Sequence, residues 1–83
     1  MDMIVFTGHA KIQMQERRIS EKMALECLNK PLKTVSQKNS RFLAIKKIRR
    51  LNKIYLIAVV FDKLNGTKEV VTAFYTSKFS KYL

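Results

Sequence analysis

The sequence predicts an α+β domain: two N-terminal helices packed on a curved antiparallel β-sheet of three to four strands. Three observations predict it. Apolar residues at helical spacing are confined to the N-terminal third, β-branched and aromatic residues dominate from Leu32 onward, and turn-forming sequences at 50–53 and 62–66 divide that second part. At 83 residues the chain makes a single domain, 1–83, with one modest hydrophobic core.

After a short apolar lead, Met3 to Phe6, the segment His9 to Arg18 reads as a helix. Ala10, Gln13, Met14 and Arg17 fall on one of its faces, and Thr7 or Gly8 opens it. Ser20 is the N-cap of a second helix with Glu21 in its first turn, and Met23, Ala24, Cys27 and Leu28 form its apolar stripe. Pro31 ends that helix, because proline disfavours helix in the preceding residue and has no N–H to donate.

Strands follow near 41–50, 54–62 and 67–76, with a weaker one at 32–36. "RLNK" at 50–53 and "DKLNG" at 62–66 turn the chain, Asn65-Gly66 being suited to positive φ. Pairing residue 50 with 54 and 62 with 67 puts Leu43, Ile45, Lys47, Arg49, Tyr55, Ile57, Val59, Phe61, Val70, Thr72 and Phe74 on one face. Phe42, Ala44, Lys46, Ile48, Arg50, Leu56, Ala58, Val60, Val71, Ala73 and Tyr75 then occupy the other. Both faces are apolar at their centre, as expected if helices cover one and the other is a sheltered concave surface.

Seventeen Lys and Arg stand against six Asp and Glu, a formal charge of +11. Such an excess repels itself in the folded state and points to a polyanionic partner: RNA, DNA, an anionic membrane or an acidic protein. The longest apolar run, "IYLIAVVF" at 54–61, is far shorter than the roughly 20 residues of a membrane helix. The start lacks the basic flank and cleavage site of a secretory signal. Cys27 is alone, so no internal disulfide forms, and a cytoplasmic protein without membrane association is expected. One histidine and six scattered acids assemble neither a metal set nor a Ser/His/Asp triad, and there is no glycine-rich phosphate loop, so no metal or nucleotide cofactor is expected.

The basic segment "FLAIKKIRRLNK" carries Lys46, Lys47, Arg49, Arg50 and Lys53, and strand alternation aims them at both faces. On the expected register Thr72 lies two strands across from Lys47 and Tyr55 lies opposite Arg49. Cation, hydroxyl and aromatic ring together would hold a phosphate and stack a base. RNA cleavage needs a group to take the 2′-hydroxyl proton, positive charge for the phosphorane oxygens and an acid for the leaving 5′-oxygen. His9, the one histidine, can serve as base or acid, and clustered cations can also depress a lysine pKa enough to make a lysine the base. Each residue also has a plain structural reading: His9 as a solvated helix start, the strand cations as a solvated edge, and Arg17 and Arg18 as surface partners of Glu16 and Glu21.

"GHAKIQMQERRIS" resembles the signature of a family of small uncharacterised domains, H-A-x-x-R-M-x-E-R-G-I-S, followed by a helix that stops at N-x-P. His9, Ala10, Met14, Glu16, Arg17, Ile19 and Ser20 match, "LNKP" ends the helix, and "VVTAFYTSKFSKYL" is similar to the family's closing strand and basic tail. Gln13 stands where the family usually has Arg, and Arg18 where it usually has Gly, a residue that tolerates positive φ.

The family is similar in layout to RelE-type toxins and to the wider barnase, EndoU, colicin and RelE group of ribonucleases. The resemblance implies a metal-independent endoribonuclease, the toxin of a toxin–antitoxin pair, that cleaves mRNA or tRNA through a 2′,3′-cyclic phosphate. It also implies an acidic antitoxin over the basic sheet. His9 and Arg17 carry over from the signature, while Lys47, Arg49 and Thr72 complete the expected catalytic set from the sheet. Tyr75 joins them because such toxins place an aromatic or hydroxyl group near the end of the last strand, although the expected register sets it on the face opposite Lys47. Arg17, Arg18, Lys46, Arg50, Lys53 and Tyr55 are the expected RNA-binding residues. The alternatives are a non-catalytic RNA- or DNA-binding module and a basic protein that docks an acidic partner.

Overall fold

Residues 3–83, described by a computed structural model, form a five-stranded sheet and three helices. In chain order these are β1 (Met3–Phe6), α1 (Gly8–Glu16), α2 (Glu21–Asn29), β2 (Lys33–Ser36), β3 (Arg41–Arg50), β4 (Lys53–Leu64), β5 (Thr67–Thr76) and α3 (Phe79–Tyr82). The Thr7 hydroxyl accepts the Ala10 N–H at 3.0 Å and the Ser20 hydroxyl accepts the Met23 N–H at 3.1 Å, so Ser20 caps α2 as expected and Thr7, of the two candidates, caps α1.

α1 ends two residues earlier than expected. The Arg18 N–H donates to the Gln15 carbonyl and the Ile19 N–H to the Met14 carbonyl, the paired bonds of a Schellman cap. Arg18 occupies its left-handed position at φ 57°, where the resembled family has glycine. Ile19 and Met14 are both buried, giving the apolar contact that accompanies this cap.

The sheet order is β1-β5-β4-β3-β2. Four of the strands follow the sequence expectation; the fifth is the apolar lead, too short at four residues to show alternation on its own. It pairs parallel to β5 from Met3–Thr67 to Phe6–Val70, so the sheet is mixed and not wholly antiparallel. α3 was not expected either, being a single turn.

The register differs from the expected one at two places. β3 and β4 pair Arg50 with Lys53 around Leu51–Asn52, a two-residue turn with positive φ at both residues (51° and 64°). Leucine disfavours that conformation, so the residues at 51–52 do not by themselves mark a two-residue turn. β4 and β5 pair Leu64 with Thr67 around Asn65–Gly66, and a bulge at Val60/Phe61 leaves Val71 unmatched in β4. The one-residue slip between β3 and β4 and the one-residue bulge each exchange faces and so compensate, while the shift of the β4–β5 turn from 62–67 to 64–67 is of two residues and leaves the faces unchanged. Leu43, Ile45, Lys47, Arg49, Thr72 and Phe74 stay together, now joined by Leu56, Ala58 and Val60. Tyr55, Ile57, Val59, Phe61 and Val70 move to the face of Ala44, Lys46, Ile48, Arg50, Ala73 and Tyr75.

Each face has its own apolar cluster. Ala10, Met14, Ala24, Cys27 and Leu28 from the helices, with Ile19 from the link between them, bury Ala44, Ile57, Val59, Phe61, Val70 and Ala73. On the reverse face Leu43, Ile45, Leu56 and Ala58 are covered by Phe79 and Tyr82 of α3 together with Val35, Val60 and Phe74.

Candidate phosphate-binding cleft

β1 pairs with β5 only as far as Val70, and α1 packs against the stretch of β5 beyond it. Arg17 fastens the junction: its Nη1 donates to the Ala73 carbonyl at 2.8 Å and to the Thr72 hydroxyl at 3.2 Å. The Thr72 hydroxyl in turn donates to Gln13 Oε1. An edge carbonyl of β5 is thereby satisfied by a side chain where no further strand is present.

His9, Gln13 and Arg17 recur every four residues and so share one face of α1, which forms one wall of an open cleft of about 420 Å³. Val71, Thr72 and Phe74 form its floor, and Arg41 closes it from β3. His9 is exposed and makes no hydrogen bond or ion pair among the described residues. Arg41 is held in a bidentate pair with Asp62, Nε to Oδ1 at 2.8 Å and Nη2 to Oδ2 at 3.0 Å. Hydrogen bonding from Arg41 holds the Asp62 carboxyl below the usual carboxylate range. Two guanidinium groups, that of Arg41 paired with the Asp62 carboxylate, and one imidazole therefore stand around a floor that is apolar except for the Thr72 hydroxyl, an arrangement that offers donors to a phosphodiester.

Arg41 and Gln13 were missed in the sequence. The spacing does place Gln13 on the helix face of Arg17, but as a substitute for the family's arginine it is not among the expected site residues. Arg41 carries no local signal, because its place in the cleft depends on strand pairing.

Of the expected catalytic residues, His9 and Thr72 come together here, beside Arg17. Lys47 and Arg49 share the sheet face of Thr72 but stand apart from it. Lys47 is level with Leu56 and Thr76, whereas Thr72 is level with Val60 and Leu43. That offset is four residues, about 13 Å along the strands, and the cluster under α3 lies between. Tyr75 sits on the opposite, helix-covered face, where its hydroxyl donates to the Arg18 carbonyl at 3.1 Å.

The expected RNA-binding residues divide similarly. Tyr55 pairs with Ile48 and not with Arg49, so it shares the face of Arg50 and Tyr75. Arg50, Leu51, Tyr55 and Tyr75 line a second opening of about 310 Å³. Lys53 is directly opposite Arg50 in register, and Lys46 lies further along β3 beside Glu26, Asn29 and Lys30 of the α2 end. Arg17 and Arg18 are both exposed and neither forms an ion pair with Glu16 or Glu21.

Cys27 is fully buried, with Sγ 3.4 Å from the Ala44 carbonyl, and burial pushes its thiol up to about 11. It is a core residue. Among the described residues no three His, Cys, Asp or Glu side chains converge as a metal site would require, and no helix is long and apolar enough to cross a membrane. No family model matches the chain, and neither a curated protein nor a solved structure shows significant similarity to it.

Proposed function

We propose that the protein is an RNA-directed, toxin-like endoribonuclease that cleaves mRNA or tRNA without a metal ion, with the cleft between α1 and β5 as its reaction site. The observation that carries the reading is the convergence of His9 with Arg17 and Arg41 around one opening in a protein of charge +11. His9 takes the proton of a 2′-hydroxyl; the 2′-oxygen bonds to phosphorus as the bond to the 5′-oxygen breaks, leaving a 2′,3′-cyclic phosphate and a 5′-hydroxyl protonated from water. Arg17 and Arg41 stabilise the charge that develops on the phosphorane oxygens. The motif resemblance to the RelE-type group supports the same reading, and an acidic antitoxin in the cytoplasm is the partner it implies.

A non-catalytic polyanion-binding module is the second reading. It is favoured by the hydrogen bonds that commit Arg17 Nη1 and the Thr72 hydroxyl to holding α1 on β5. Incubating the protein with total RNA in EDTA, beside His9→Ala, separates the two. Fragments ending in cyclic phosphate that fall by about 100-fold or more in the variant are expected from loss of a general base. Intact RNA with salt-sensitive binding unchanged in the variant would favour the module.

A further inference from the structure

We infer that the opening lined by Arg50, Leu51, Tyr55 and Tyr75 is a stacking site for the base of an unpaired nucleotide, separate from the phosphate cleft. The inference rests on the reading of the protein as one directed to nucleic acid, but not on its cleaving that nucleic acid.

The two rings of the site differ in how they are held. The Tyr75 hydroxyl is committed to the Arg18 carbonyl and lies 3.8 Å from Met23 Sδ, and the Arg50 guanidinium sits 4.8 Å over the Tyr75 ring. That side of the opening is built and fixed. Tyr55 is half-buried, and its hydroxyl has no hydrogen-bond partner among the described residues. Its ring is the surface left for a ligand. Leu51 projects at the rim, 88% exposed, from a turn position its side chain disfavours.

The lining selects among ligands. An aromatic cage with no other charge would suit a quaternary or methylated ammonium, but Arg50 within this one repels cations. A flat, apolar group attached to an anion satisfies both the ring and the guanidinium, and Lys53 stands opposite Arg50 on the same sheet face. An unpaired nucleotide has that form, its base on Tyr55 and its phosphate toward Arg50 and Lys53. A duplex keeps its bases stacked on one another and presents none to such a site.

The test uses two hexamers of equal charge that lack the 2′-hydroxyl and so cannot be cleaved by the proposed route: hexadeoxyadenylate and its abasic deoxyribose-phosphate counterpart. Calorimetric titration of the wild-type protein is expected to show the base-bearing strand bound about 10-fold tighter or more, in line with stacking on aromatic side chains. Tyr55→Leu is expected to bring that strand to the abasic level, and Tyr55→Phe to keep the preference. Equal affinity for the two strands in the wild type, a preference that survives Tyr55→Leu, or no binding of either strand would overturn the inference. The wild-type comparison decides the matter even if Tyr55→Leu fails to fold. Failure of RNA cleavage in the His9 experiment leaves this result untouched.

Discussion

Arg18 joins α1 to α2 in a left-handed backbone conformation, at φ 57°, with its side chain exposed and its carbonyl receiving the Tyr75 hydroxyl. The Cβ of any residue but glycine is crowded there, at a cost of about 1–2 kcal/mol. The resembled signature usually has glycine here, and arginine in its place does not choose this conformation of itself. Instead the Schellman bonds from Arg18 and Ile19 impose the conformation on it. Arg18→Gly is therefore expected to stabilise the fold by roughly 0.5–1 kcal/mol, a rise of a few degrees in Tm, because relief of the strain exceeds the added freedom of the unfolded chain. A thermal melt of the variant checks this, and an unchanged or lower Tm would mean that the position is not strained. His9 presents the opposite case: among the described residues no hydrogen bond or ion pair engages it, so the structure gives it no holding role beside the cleft it lines.

At the scale of elements, a single turn controls which residues meet. The Leu51–Asn52 turn sets β3 against β4 so that Tyr55 faces with Arg50, and a loop one residue longer would have set it with Arg49. Asparagine suits the first position of such a turn far better than leucine. Leu51→Asn is expected to raise stability by roughly 0.5–1 kcal/mol, read from the denaturation midpoint at unchanged m-value. A fall would show that the exposed leucine packs against the opening beside it. The same turn explains how much could be read in advance. Both N-caps, the stop at Pro31 and four of the five strands were legible, since each depends on local chemistry. The bulge at Val71 and the left-handed Leu51 were not, because each follows from pairing energetics spread over whole strands. The candidate site was legible in the same measure: His9 and Arg17 share a local motif, while Arg41 reaches them only through the sheet.

Taken whole, the molecule distributes its charge unevenly in function though not in sign. Cations stand on both sheet faces, Lys47 and Arg49 on one and Lys46 and Arg50 on the other, so the strand cations of β3 do not single out one face. What distinguishes the α1/β5 cleft is the added imidazole, and the central claim is that the scissile phosphate lies there. The most direct measurement is NMR mapping of a 2′-O-methyl RNA hexamer, which binds as RNA but lacks the free hydroxyl for attack. His9 is the sole histidine, so its imidazole signals need no assignment. The account predicts that these signals and the side-chain Nε–H signals of Arg17 and Arg41 shift together on one saturation curve. Shifts confined to Lys47, Arg49 and their neighbours, with His9 unmoved, would contradict it.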